Sequence, residues 1–381
     1  MKYKVPFIDY PKQYHNIKDE IDNAFHKVME GGDFMFRKDT VEFEKALAKL
    51  VNKKFCIGTD SCTNAMFLSL YAYGIGKDDE VITVDHTYIA TIDAIVHAGA
   101  TPVLIDICED FNMNPDLIEE AITKKTKAII PVHLNGRSCQ MDKIMEIARK
   151  YNLIVIEDNA QSLGASYKGI KTGESGDTSC YSFYPAKILG SYGDGGAICV
   201  DEPTMANKLY LLRDHGEMPS YLRKINSKDN DIKFFGFNTL LDNMQCAFLN
   251  VKLKHFDEYI SRRRQIASIY NNNLNRVGDL VLPPTPDTGD YFDVYQNYVI
   301  TTDRRKEMRE FLNNNSIETL AKWYPPNYKQ PGLKELQRFN LPVTDLISSQ
   351  CLTLPMYPEL DNWQVEYVVS KIKKFFRVNY R

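Results

Sequence analysis

No two of the eight cysteines are spaced as C-x-x-C, which argues against a zinc site. Cys180 and Cys199 instead sit inside apolar runs, where a free thiol behaves as a small hydrophobe. No apolar run approaches membrane-spanning length. Met1-Lys2-Tyr3-Lys4-Val5-Pro6 leads into nothing like the apolar core of a signal peptide, so the expected location is the cytoplasm. An excess of charge of either sign is also missing. The 47 Lys and Arg against 50 Asp and Glu leave a formal charge of −3, and so no case for nucleic acid or an acidic membrane as partner. Arg262-Arg263-Arg264 is the nearest thing to a basic cluster, and it reads as the solvated face of a helix. Internal repeats and low-complexity tracts are absent. So is the G-x-G-x-x-G turn that a nicotinamide-binding enzyme would need after an early strand; Gly193 to Gly196 is spaced differently.

The hydrophobic share of 44% and charged share of 25% are those of an ordinary soluble globular protein. A length of 381 residues suggests two domains, or one large domain with a smaller appendage. From about residue 55, short apolar runs (81–84, 102–105, 128–132, 153–156 and 197–200) alternate with helix-length amphipathic segments such as 114–123 and 141–151. That rhythm predicts an α/β fold, a mostly parallel sheet covered by helices. Asn114-Pro115 reads as a helix start. Helices are also expected over 17–30, 40–51 and 362–376, with one long helix over about 242–274. The texture changes there and a proline-rich connector, Val281 to Pro286, follows. The expected division is a large catalytic domain over 1–250 and a small α+β domain over 251–381.

Ser182-Phe183-Tyr184-Pro185-Ala186-Lys187 places one lysine in a turn among aromatic and small residues, just before Gly193-Asp194-Gly195-Gly196-Ala197. A partly desolvated lysine loses some of its preference for the charged form and becomes a usable amine nucleophile. Upstream, the strand-like Leu153-Ile154-Val155-Ile156 ends in Glu157-Asp158. Ligands of open α/β sheets bind outside the carboxyl ends of the strands, so one of these neighbouring carboxylates can face the crevice while the other points away. A carboxylate so placed, with a reactive lysine downstream, suits pyridoxal phosphate. The lysine bonds the cofactor covalently, and the aspartate keeps the pyridine nitrogen protonated so that the ring acts as an electron sink. As an alternative, Asp158 merely caps the next helix.

Ser61, Cys62 and Thr63 open a helix after an apolar run, where hydroxyls and backbone N–H groups can hold a phosphate; an ordinary helix cap would look the same. Tyr88 follows the strand at 81–84 and stands where a ring could stack on the pyridine, unless it is one more core or surface tyrosine among 23. The Ser182 hydroxyl can reach the same phosphate as Ser61 and Thr63. Gln161 lies three residues after Asp158 and could bond the ring hydroxyl, or be a polar helix residue.

Taken together, these stretches resemble the DegT/DnrJ/StrS family of pyridoxal phosphate-dependent nucleotide-sugar aminotransferases. The resemblance runs from Val5-Pro6-Phe7-Ile8-Asp9 through Pro131-Val132-His133-Leu134-Asn135-Gly136 to Leu354-Pro355-Met356-Tyr357-Pro358. The elements Glu157 to Gln161, Ser182 to Lys187 and Gly193 to Ala197 match the family's in order. The resemblance implies the aspartate-aminotransferase fold (fold type I) and a homodimer with active sites at the subunit interface. It also implies Lys187 and Asp158 as catalytic residues, L-glutamate as donor, and a nucleotide-linked keto-deoxyhexose as acceptor. The opening Val5 to Asp9 looks most like members acting at C3 of dTDP-linked 6-deoxy sugars; a C4 enzyme, or one using a UDP sugar, is the alternative. Asn238 matches the residue that in relatives reaches the partner subunit's cofactor phosphate.

Two departures stand out. Cys62 replaces the glycine of a Ser-Gly-Thr phosphate turn, which narrows the backbone angles allowed there. In Gly236-Phe237-Asn238-Thr239-Leu240-Leu241-Asp242-Asn243, Leu240 and Asn243 stand where the family has arginine and glutamate. Some members carry histidine in place of the lysine and act as sugar dehydratases; Lys187 argues against that. A non-catalytic regulator of the same fold would retain Lys187 and Asp158 yet turn over no sugar.

Overall fold

The computed structural model describes residues 3–219, 232–286 and 289–378. Its centre is a seven-stranded sheet in the order β1-β9-β8-β5-β4-β2-β3. These strands are β1 (Phe55–Thr59), β2 (Glu80–Val84), β3 (Thr101–Ile105), β4 (Thr126–Ile129), β5 (Ile154–Asp158), β8 (Thr178–Ser182) and β9 (Gly196–Val200). Two short strands, β6 (Ser166–Tyr167) and β7 (Ile170–Lys171), lie between β5 and β8 and pair with each other, and β6 also pairs with β10 (Tyr291–Phe292). All neighbours in the large sheet are parallel except β9, which runs antiparallel to both β8 and β1. No helix intervenes between β8 and β9, so the chain turns back on itself there instead of crossing over. The turn between them carries Lys187.

The strands read as near-continuous apolar runs because helices cover the sheet. The exception is β8, Thr-Ser-Cys-Tyr-Ser, which the hydrophobic pattern does not flag; Thr178, Ser179, Cys180 and Tyr181 are nonetheless buried between β5 and β9.

The amino-terminal helices are α1 (Tyr10–Asn16), α2 (Lys18–Gly31) and α3 (Lys38–Leu50), the last two close to the expected spans. Next come α4 (Cys62–Ala72) and α5 (Ala90–His97). The start at Asn114 is real, its side chain accepting from Asp116 N, but a 3-10 turn follows and leads only into the four residues of α6 (Ile118–Ala121). In α7 (Met141–Tyr151), Met141, Ile144 and Ala148 form the buried stripe, and Asn152 closes the helix in the left-handed conformation at φ 52°.

After α8 (Pro203–Arg213), the single long helix expected over 242–274 is two: α9 (Asn243–Leu253) and α10 (Phe256–Leu274). At the break the N–H groups of Lys254 and His255 bond three residues back. The apolar residues on either side serve different neighbours: α9 packs on α2 and α3, whereas α10 packs on α13 (Asn362–Val378).

The carboxyl-terminal part adds α11 (Arg305–Asn314), α12 (Pro342–Gln350) and an antiparallel pair, β11 (Tyr298–Thr301) with β12 (Cys351–Leu354). Its core gathers Ile266, Tyr270, Tyr298, Leu352, Val368 and Ile372, and also takes in Val5, which bridges to Ile317. Among the described residues no helix is long and apolar enough to cross a membrane.

Candidate active site

Because β1, β2, β5 and β8 are parallel in direction, their carboxyl ends share one edge of the sheet, and the loops leaving them converge. There they enclose a cavity of about 480 Å³, a size suited to a cofactor with part of a substrate. Ser61, Cys62, Thr63, Tyr88, Asp158, Gln161, Ser182 and Lys187 all line it. Asn238 does not; it is exposed, and its backbone bridges to Asp214.

The two neighbouring carboxylates part ways at the end of β5. Asp158 turns into the cavity, where Oδ2 accepts from Thr91 Oγ1 at 2.8 Å and Oδ1 from Ala160 N at 3.0 Å, with Cys62 Sγ at 3.8 Å. Glu157 turns the other way and is fully buried, accepting from His133 Nε2 at 2.8 Å and from the N–H groups of Gly173 and Gly176. Burial pushes the Glu157 pKa up, but His133 and those two donors outweigh it and hold the carboxyl below its ordinary value. Neither carboxylate caps a helix: residues 160–163 form a turn, so Gln161 is a turn residue. Its Oε1 accepts from Asn135 N and from Asn297 Nδ2, both at 2.9 Å.

Lys187 sits in a turn gripped from both sides by one side chain. Gln296 Oε1 accepts from Ile188 N and its Nε2 donates to Ala186 O, each at 2.8 Å. Burial draws the Lys187 pKa below the lysine value, against the opposing pull of Asp158 and Cys62. Nearby, the Ser182 hydroxyl accepts from Tyr184 N at 3.3 Å.

At the start of α4 the Ser61 hydroxyl does cap the helix, accepting from Asn64 N at 3.1 Å while donating to Asp60 Oδ1 at 3.2 Å. The first N–H groups of α4 have no partner within the helix and make its start attractive to an anion. Gly196 lets β9 run against this turn: a Cβ there would lie 2.3 Å from the Ser61 carbonyl carbon and 2.5 Å from Cys62 N. Tyr88 is 62% exposed and precedes α5; its ring centroid is 6.2 Å from that of Trp323 at an interplanar angle of 58°.

Residues 15–373 match the model of the DegT/DnrJ/EryC1/StrS aminotransferase family. A pleiotropic regulatory protein of Geobacillus stearothermophilus is 40% identical over 380 residues, covering 98% of this chain and 99% of that protein. The dTDP-3-amino-3,6-dideoxy-alpha-D-galactopyranose transaminase of Aneurinibacillus thermoaerophilus is 37% identical over 97% of this chain and 99% of its own. The crystal structure of S. venezuelae DesV superposes with a TM-score of 0.91 at 34% identity, over 98% of this chain and 99% of that one. The chain belongs to the DegT/DnrJ/EryC1/StrS aminotransferase family. It is a pyridoxal phosphate-dependent aminotransferase with the fold expected from its sequence.

The cavity's donor set fits that cofactor: a desolvated amine, a buried carboxylate for a protonated ring nitrogen, and N–H groups at a helix start for a phosphate. Cys62 in place of the family's glycine is accommodated because it is the first residue of α4 and its φ is not positive. Asn243, in place of the family's glutamate, is fully buried. Its Oδ1 accepts from Thr40 N and Thr40 Oγ1, and its Nδ2 donates to Asp33 O and Asp39 Oδ2. Leu240 bridges to Thr59 at the end of β1.

Sequence reasoning missed Thr91, Gln296, Asn297, Lys322 and Trp323, which also line the cavity. Thr91 lies three residues beyond Tyr88, which the sequence does single out. The others lie more than a hundred residues from Lys187 and carry no local signal.

Proposed function

We propose that this aminotransferase moves an amino group from L-glutamate to a keto carbon of a nucleotide-linked deoxyhexose, C3 of a dTDP-linked 3-keto-6-deoxy sugar in particular, toward an amino sugar for a surface polysaccharide or glycoconjugate. The observation that carries the reading is the pairing of Lys187 and Asp158 in one cavity at the carboxyl edge of the sheet. Support for C3 comes from the opening Val5 to Asp9 and from the Aneurinibacillus relative, a dTDP-3-amino sugar transaminase.

Pyridoxal phosphate, when bound, supplies the electron sink through which an amino group passes between two substrates. The protein's own part is to hold, orient and move protons. Lys187 is the amine that holds the cofactor; burial lowers its pKa, which favours Nζ as the group that takes up and returns the substrate's proton. Asp158, fixed by Thr91 and by the Ala160 N–H, offers a carboxylate to the ring nitrogen. Thr63, Ser182 and the first N–H groups of α4 receive the phosphate, and the helix dipole favours its charge. Gln161 is the donor for the ring hydroxyl, and Tyr88 lines the cavity where a ring can stack on the pyridine.

Asn238 fits a different role. It is exposed and does not line its own chain's cavity, which supports the reading that it serves a neighbour's phosphate in a cytoplasmic homodimer with shared sites. In this reading residues 1–250 form the cofactor-binding domain and 251–381 the small one.

The test is turnover of purified protein with pyridoxal phosphate, L-glutamate and a panel of dTDP- and UDP-linked keto sugars, read by product mass. A product with an amine at C3 in place of the carbonyl oxygen is expected. Amination at C4 alone would reassign the carbon. Cofactor binding without turnover of any sugar would favour a regulator, the role carried by the name of the Geobacillus relative.

A further inference from the structure

Lys322 belongs to none of the motifs, yet it lines the same cavity as Lys187 and Asp158. Its Nζ donates to Asn297 Oδ1 at 2.6 Å and stands 5.3 Å from the centroid of the Phe7 ring. Among the described residues it forms no ion pair with a carboxylate. An ammonium has three N–H donors, and this one spends a single donor on a neutral amide. Lys322 is half-buried, and a lysine drawn that far out of water is ordinarily paired, because a desolvated charge without a counter-ion is costly.

The surroundings hold it in that position. Asn297 is locked, since its Nδ2 donates to Gln161 Oε1 at 2.9 Å and to Asn135 Oδ1 at 3.0 Å. The next residue, Trp323, has φ 59°, a left-handed conformation that a bulky side chain keeps only where its surroundings impose it. Further on, Asp85, just after β2, accepts from Asn327 N at 3.0 Å and from Tyr328 N at 2.7 Å and ties the segment to the sheet.

We propose that Lys322 is the anchor for a substrate carboxylate, which supplies the counter-ion the protein withholds and sets the substrate beside Lys187. The inference rests on reading the cavity as the amino-transfer site. Two substrates could bring that group: the amino-acid donor, or a sugar oxidised to a uronic acid. Burial and the positive charges of Lys187 and Arg263 draw Lys322 down to a pKa of about 7. A carboxylate bound there raises that value again, so above neutrality its arrival draws a proton onto Nζ.

Holoenzyme, Lys322→Gln and Lys322→Arg are titrated calorimetrically with glutarate and with UDP-glucuronate at about pH 8, in buffers of different ionisation heat. The wild type should take up a proton on binding one of the probes. Lys322→Gln should bind that probe about tenfold or more weakly and without proton uptake. Lys322→Arg, always charged, should keep most of the affinity and also lose the uptake. An effect on glutarate assigns the carboxylate to the donor, and one on UDP-glucuronate assigns it to the sugar. Unchanged affinity and uptake in Lys322→Gln, with its cofactor absorbance and melting temperature intact, overturn the anchor and leave the site reading standing. If Lys322→Gln does not fold, proton uptake retained by Lys322→Arg overturns it instead. A wild-type protein that takes up no pyridoxal phosphate overturns both.

Discussion

The Thr91 hydroxyl donates to Asp158 Oδ2 at 2.8 Å, and it lies 2.9 Å from the Thr87 hydroxyl behind it. A residue of α5 thus sets the direction of the carboxylate at the end of β5, across 67 residues of sequence. Hydrogen bonds to charged groups contribute about 1.5–3 kcal/mol each. Asp158→Asn should retain bound cofactor, seen by absorbance, while steady-state turnover falls severely. Thr91→Val should give a smaller fall of the same kind. Near-normal turnover in Asp158→Asn would remove Asp158 from the ring nitrogen.

Lys187 should be the residue that carries the cofactor. The purified protein should be yellow, and borohydride should fix the cofactor on the peptide containing Lys187; a label on another lysine refutes the assignment. In Lys187→Ala, loss of proton transfer alone is worth roughly 10²–10⁴-fold in rate, in addition to the lost covalent step.

Asn238 offers a test of site sharing. Asn238→Ala and Lys187→Ala should each be nearly inactive at limiting cofactor. When the two are mixed, half the sites of each heterodimer should carry both defects and half neither, so activity returns. Heterodimers that form without recovery would assign Asn238 to its own chain.

Glu157 should make stability depend on pH. Its folded pKa is lowered, so its contribution is present above the ordinary glutamate value of 4.5 and is lost as the pH falls through the folded value. Melting temperature should therefore drop on acidification below that point. Glu157→Gln should flatten this slope and cost about 1–3 kcal/mol at neutral pH, because the amide NH2 would face one of the donors that the carboxylate oxygens now accept from.

Asn243→Glu, which restores the family's residue, should destabilise this protein. Asp33 O and Asp39 Oδ2 accept from Nδ2, and a glutamate would turn an acceptor toward both. A loss of about 3 kcal/mol or more is expected in chemical denaturation, the cost of an uncompensated buried charge.

Much of this site was legible in the sequence because its pieces are local. Ser61 to Thr63 follow β1 and Asp158 closes β5, each at the end of an apolar run visible in a short stretch. Ser182 to Lys187 stands out by its own residues, a lysine among aromatic and small neighbours before a glycine-rich turn. Parallel strands then bring those turns to one edge whatever their order. The family's departure at Cys62 was harmless for a local reason too, since a first helical residue needs no positive φ.

Only the tertiary structure decided the rest. The polar strand β8 exists because β5 and β9 flank it, and β9 is antiparallel because no helix intervenes before it. The break at Lys254-His255 arises because α9 and α10 bury their faces against different neighbours. Lys322, Asn297 and Gln296 carry no local pattern that marks them as site residues. Their roles come from contacts across more than a hundred residues, which periodicity and spacing along a chain do not encode.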